Sequence, residues 1–137
     1  IAEDGNSVIR TIGVKAADRA LEDVDAVDEN GNAILDQYGV QMVTRGLKYN
    51  AIQKVKQQQS GYLSRTDWYI IRKADVGTAI PTAIQTFRNA IRADATRIEN
   101  AITAATTMDE FIALHTTTYN EDRTVDQIAI TQSWTEE

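Results

Sequence analysis

The sequence predicts an α+β fold: a small N-terminal unit of strands with one hairpin, then a helical hairpin built on one long amphipathic helix, then an extended C-terminal arm. Three observations carry this. SVIRTIGVK (7–15) alternates apolar and polar positions, with Val8, Ile12 and Val14 set against Arg10 and Lys15, which is the two-residue period of a half-buried strand. Asn30-Gly31 stands between the apolar runs VDAV and AIL, and Asn-Gly signals a tight hairpin because both central residues of its turn must tolerate positive φ. Around and after Pro81, Ile80, Ile84, Phe87, Ile91, Ala95, Ile98, Ile102 and Ala105 recur at helical spacing, so one apolar stripe persists for about seven turns.

The remaining elements follow in chain order. Ala16 to Leu21 holds Ala, Arg and Leu, which favour a helical turn. Gly39 and Gly46 punctuate the next stretch and bracket a third strand, Val40 to Thr44. LKYNAIQKVKQQQ then places Leu47, Ala51 and Val55 on one stripe with Ile52 beside it, predicting a helix from Gly46 to Gln59 that continues toward Leu63. Pro81 suits a helix start, where its missing N–H is an orphan in any case. Thr107 with Glu110 has the form of a capping box opening the short helix DEFIALH. The tail from Thr116 is polar except for QIAITQSW, read as a strand or as an arm ordered on a partner. These elements divide the chain at 1–45 (β-rich), 46–115 (helical) and 116–137 (C-terminal arm). No internal repeat and no low-complexity tract beyond Gln57 to Gln59 is read from the sequence.

At 137 residues and 42 % hydrophobic content, the chain fits one domain, or a β unit joined to a helical one. A net charge of −6 argues against a nucleic-acid or anionic-membrane surface, since both need clustered Lys and Arg. The absence of Cys removes disulfides, thiolate chemistry and Cys-based metal sites. No apolar run reaches the roughly 18 residues of a membrane span. The chain begins at Ile1 rather than Met, which predicts a natural start lying upstream.

Chemistry is sparse. His115 is the single His, with no Ser or Cys partner at a readable spacing, and reads as a helix-end residue. Asp28, Asn30 and Asn32 resemble the start of a calcium loop, but the Gly falls two positions early and no Glu closes the ligand set, so the hairpin reading stands. No phosphate-binding Gly-rich loop, nucleophile elbow or zinc-helix motif is present. The expectation is a non-enzyme with no cofactor and no metal.

SGYLSRTDWYIIRKAD (60–75) concentrates Trp68, Tyr69, Ile70 and Ile71 in an otherwise polar region. Thr66 or Asp67 suits an N-cap that sets the direction in which Trp68 leaves the preceding helix, and Trp68 is expected as a core anchor between helices, with Phe87 and Ile91. Arg88 and Arg92, four apart, form either a solvated helix face or a basic stripe for a partner. Trp134, with Ile128 and Ile130, is a candidate partner contact, because Trp is enriched among interface hot spots.

Leu63-Ser64-Arg65-Thr66-Asp67-Trp68, then Arg72, Ile80-Pro81 and Phe87-Arg88-Asn89-Ala90-Ile91-Arg92, resemble a pattern in the tail fibre assembly (tail assembly chaperone) proteins and related virion proteins of tailed bacteriophages. There a Leu-x-x-(Ser/Thr)-Asp-Trp segment precedes an aromatic-Arg-x-x-Leu-Arg helix. The likeness spans residues 47–114, with Phe87 for the usual Tyr and Ile91 for the usual Leu. The Pro-Asp pair common after the Trp is missing, and the β-like N-terminal part is unlike the family. The resemblance implies a non-enzymatic protein that binds other phage tail or virion proteins and forms a homo-oligomer, without nucleic acid or membrane. Two expectations follow: a structural piece of the virion, in the tail, fibre or baseplate and assembled in the host cytoplasm, or an assembly chaperone absent from the finished particle. A third is a bacterial protein that carries the helical motif without a phage role.

Overall fold

The computed structural model describes residues 19–137, and the fold is α+β, with N-terminal strands, then helices, then a second pair of strands. The expected strand at 7–15 lies outside the described residues, as does the first half of the expected turn at 16–21. The chain divides into two compact units that meet between Asn50 and Ala51.

In the first unit, β1 (Val24–Asp25) and β2 (Val43–Thr44) pair antiparallel, and isolated bridges join Val27 to Ala33 and Leu35 to Gln41. Three strand segments therefore meet, each pairing with both others. Their junction is a closed ring of backbone bonds. Ala26 N–H donates to Met42 O (2.8 Å), Met42 N–H to Ile34 O (2.8 Å), and Ile34 N–H to Ala26 O (3.0 Å). The Gln41 side-chain amide donates to the same three carbonyls, at 2.8 Å to Ala26, 3.3 Å to Ile34 and 2.8 Å to Met42.

The ring residues stand eight apart, and so do the loops between them. Asp28 Oδ1 accepts from Asn30 and Asn32 N–H, and Asp36 Oδ1 accepts from Tyr38 and Val40 N–H. Gly31 and Gly39 each donate to the carbonyl of that Asp (3.0 Å), with φ of 81° and 78°, a region where a Cβ is costly. The chain thus contains an eight-residue repeat, AVDENGNA followed by ILDQYGVQ, that the sequence reading did not find. The Asn30-Gly31 turn also differs from the expected two-residue type. Only Gly31 takes positive φ, as in three-residue loops that close with a single left-handed residue.

Helix α1 (Leu47–Ser64) begins against the segment that leads into β1. The N–H groups of Leu47 and Lys48 reach Ala20 O (2.9 Å) and Leu21 O (3.0 Å), and Asp23 accepts from Gly46 N–H (2.7 Å) and Arg45 Nη1 (2.8 Å). Orphan donors of the first turn are satisfied this way. A Cβ on Gly46 would collide with the backbone of Leu21 and Glu22. Lys48 is buried and pairs with Glu22.

The second unit holds the rest of α1, α2 (Asp67–Val76), α3 (Thr82–Ala104) and α4 (Met108–Leu114). Gly77 ends α2 in the left-handed conformation, its N–H on Lys73 O. Pro81 is the residue before α3 and supplies a carbonyl to Gln85 N–H (3.0 Å). The α3 stripe is buried as its period requires: Phe87, Ile91, Ala95, Ile98 and Ile102 lose their solvent. Val55 of α1 joins Ala95, Ile98 and Ile102 in the core, flanked by Ala51, Ile52, Phe111, Leu114 and Trp134. At α4, Thr107 Oγ1 accepts from Glu110 N–H (3.2 Å), and Glu110 reaches back to Thr106 N–H (2.7 Å). The capping box is present with its return bond one residue early.

The C-terminal segment is not the extended arm the sequence suggested. Strands β3 (Thr118–Tyr119) and β4 (Val125–Gln127) form a hairpin, with Arg123 in the left-handed position at φ 68°. QIAITQSW becomes a short 3-10 turn, Ile130–Gln132. Ala129 is 1 % exposed, its N–H held by Thr117 Oγ1 (3.0 Å), and Thr131 Oγ1 donates to Leu114 O (3.2 Å). Residues 116–137 therefore belong to the helical unit.

Candidate partner interface

Two arrangements decide which surfaces the second unit can offer. The first lies under the turn between α1 and α2. Arg88 is 5 % exposed, and its Nη1 donates to Leu63 O (2.8 Å), Thr66 Oγ1 (2.8 Å) and Asp67 Oδ1 (3.0 Å). Thr66 Oγ1 itself donates to Leu63 O (3.1 Å). A guanidinium is well placed here, because the end of α1 presents unsatisfied carbonyls and partial negative charge, while Asp67 sits in the first turn of α2, where a carboxylate is favoured. Arg88 locks the helical turn and is not available to a partner. This corrects the basic-stripe expectation. Position 88 lies four residues after Ile84 and three before Ile91, on the buried stripe itself, and that spacing was the signal. Arg92 stays on the exposed side with Nη1 on Asn89 Oδ1 (3.3 Å). Thr66 makes no capping bond to α2, since its hydroxyl serves this hub.

The second arrangement fastens the C-terminus. Arg97 donates to Ser133 Oγ (2.9 Å) and Ser133 O (2.7 Å), and to Asp94 Oδ1 (3.0 Å). Asp94 Oδ2 accepts from Thr135 N–H (2.7 Å). Trp134 between them packs on the core and meets the Tyr62 ring at 5.2 Å between centroids, tilted by 39°. Trp134 is thus an internal anchor, where the sequence suggested an interface anchor. Ile128 and Ile130, the other two candidates, are exposed at 53 % and 38 %.

Trp68 is the reverse case. Expected in the core, it is 50 % exposed, stacked on Tyr69 at 3.9 Å, with the Arg72 guanidinium 4.9 Å from its ring centroid. No residue of α2 is buried. Trp68, Ile71 and Val76 stand at i, i+3 and i+8, on one helical face, and Ile71 and Val76 are 67 % and 66 % exposed. Phe87 and Ile91 are buried as anchors of α3, and Asp67 is a surface acid paired to Arg88.

Compared with protein-family models, curated proteins and solved structures, the chain matches none. Its own surface therefore carries the reading. His115 closes α4, its Nδ1 2.9 Å from Phe111 O, and lines a small cavity with Lys54, Gln58 and Thr131. Among the described residues no group of three or more His, Asp and Glu is placed to hold a metal ion, and no helix is long and apolar enough to cross a membrane.

The tail fastening has a pH signature. Burial pushes the Asp94 carboxyl up, and Thr135 with Arg97 more than offsets this, holding it below its ordinary value. A depressed carboxylate contributes stability above its unfolded value, near pH 4, which is lost as pH falls through the lower folded value. Asp23, Asp28 and Asp122 shift the same way, so Asp94→Asn isolates the tail's share. In a Trp68→Phe background, Trp134 emission should shift to the red below about pH 4, and Asp94→Asn should flatten that response. Unchanged emission down to about pH 2 in the unaltered tail would contradict the fastening.

Proposed function

We propose that this chain is a non-enzymatic virion structural protein of a tailed phage, associated with the tail, tail fibre or baseplate and acting by protein–protein assembly. The observation that carries this is α2, a helix with no buried residue that presents Trp68, Ile71 and Val76 to solvent. A helix needs tertiary packing for most of its stability, and an exposed apolar face marks an interaction site. Trp is the side chain most characteristic of interface hot spots, and the Arg72 stack holds Trp68 in place before any partner arrives. The resemblance of residues 63–68 and 87–92 to phage tail fibre assembly and virion proteins supplies the partner class: other tail or virion proteins. The same resemblance supports the alternative, a tail fibre assembly chaperone absent from the mature particle.

Trp68→Ala separates surface from core. It should cost only about 1 kcal/mol of stability, the worth of an exposed aromatic stack, while sharply lowering the amount of the chain recovered in purified particles. Equal recovery of variant and unaltered chain would remove α2 from the interface.

A further inference from the structure

The hub under the α1–α2 turn leaves part of its guanidinium unused. Every hydrogen bond of Arg88 leaves from Nη1, and Asp67 meets that nitrogen through one oxygen. Nε is shielded from solvent and has no acceptor among the described residues. Leaving a donor of a charged group buried without an acceptor is expensive. Nε and Nη2 together form the side edge of the guanidinium fork, the edge that takes two oxygens of one carboxylate or phosphate at once.

Arg88 also lines a cavity of about 320 Å³ with Lys56, Gln59, Ser60, Leu63 and Asp67, a size that suits a small molecule. Lys56, Gln59, Ser60 and Leu63 follow one another at helical spacing along α1, so one helix face supplies that wall. Arg88 is 5 % exposed, whereas Lys56 is exposed, which sets one cation at the base and one at the rim. The Gln59 amide and the Ser60 hydroxyl are further donors to an oxyanion. Charge decides between the oxyanions. Two cations against the Asp67 carboxylate leave one net positive charge, which a monoanionic carboxylate neutralises. A phosphate group, at about −1.5 to −2 near neutral pH, would face Asp67 with its charge unbalanced.

We propose that this cavity binds the carboxylate of a small organic acid, held side-on by Nε and Nη2 of Arg88 and from the rim by Lys56. Arg88 lies too deep for the surface of a partner but within reach of a small acid entering the cavity. The site goes beyond the assembly reading and does not rest on it.

The test is a titration of the isotope-labelled full chain with sodium acetate in place of sodium chloride at constant ionic strength, read by NMR at the arginine Nε–H resonances. Arg88 Nε–H should move downfield and saturate, with a Kd on the order of 1–10 mM for so small a probe. Arg72 Nε–H also lacks an acceptor among the described residues but does not line this cavity, and it should stay in place. Lys56→Gln, at an exposed position, should leave the thermal midpoint unchanged and weaken acetate binding roughly five-fold or more, while Lys56→Arg restores it. An Arg88 resonance indifferent to acetate overturns the proposal, since the edge is then hydrated. Equal shifts at Arg72 and Arg88 overturn it as well, as does a Lys56→Gln chain that binds acetate as tightly as the unaltered one. Saturation by phosphate at lower concentration than acetate replaces the carboxylate with a phosphate. If the Arg88 resonance moves with protein concentration in the absence of acetate, a carboxylate of a second copy is the occupant and the small acid is not. Particle composition leaves all of these outcomes untouched, so a failed virion reading and a failed carboxylate site are told apart.

Discussion

Ile91→Asp should abolish the cooperative unfolding transition of the helical unit. Ile91 is 0 % exposed and sits on the α3 stripe that continues through Ala95, Ile98 and Ile102 to the Val55 contact on α1. Removing a buried large aliphatic side chain costs about 2–5 kcal/mol, and a carboxylate placed there without a partner adds a desolvation penalty of several kcal/mol more. Together these reach the whole stability of a small domain, about 5–15 kcal/mol. Thermal unfolding followed by circular dichroism checks this. A melting temperature equal to that of the unaltered chain would mean that the stripe does not face the core.

Trp134→Ala should destabilise the same unit by about 2–4 kcal/mol, near the lower part of the range for a large aromatic because the residue is only partly buried. Its ring covers the Val55, Ala95, Ile98 and Ile102 core and packs at a tilt against Tyr62, and the flanking Ser133 and Thr135 are held by Arg97 and Asp94. Truncation after Gln127 should be worse, since it also removes Ala129, 1 % exposed. Denaturant unfolding reports both effects. A truncated chain as stable as the full one would restore the picture of an arm that docks elsewhere.

The helices legible in the sequence are those with one buried face. α1 and α3 bury residues in the core, and α4 lays Phe111 and Leu114 against it; a stripe that faces a core repeats at helical spacing wherever it occurs. α2 buries nothing, so Trp68, Tyr69, Ile70 and Ile71 bunch together without a period, and the segment reads as an anchor when it is a surface. Arg88 was misjudged for the opposite reason. Its type suggests solvent, but its place between Ile84 and Ile91 puts it among buried residues, and the hydrogen bonds that make burial tolerable come from a turn more than twenty residues away in sequence. The C-terminal segment hid behind its composition. Its deepest residue is a small one, Ala129, and its attachments are scattered hydrogen bonds to Thr117, Asp94 and Arg97, which leave no pattern along the chain.

The eight-residue repeat escaped because so little of it is chemically fixed. Only the carboxylate that caps each loop, Asp28 and Asp36, and the glycine that closes it, Gly31 and Gly39, must recur. The strand positions between them vary among Val27, Leu35 and Val43. Two copies of an Asp-x-x-Gly loop are a faint signal until the backbone shows them closing one ring. The candidate surface was correspondingly half visible: the sequence marks Trp68 as needing cover, whereas its exposure at 50 % follows only from how α2 sits on its neighbours.

Quantitative mass spectrometry of purified particles bears most directly on the claim that this chain is an assembly component of a tailed phage. The chain should be present at a fixed copy number relative to the tail proteins and retained after high-salt washing, because an apolar contact of the α2 kind is not screened by salt. Particles that are complete and infectious yet contain none of it would contradict the virion reading and leave the assembly chaperone in its place.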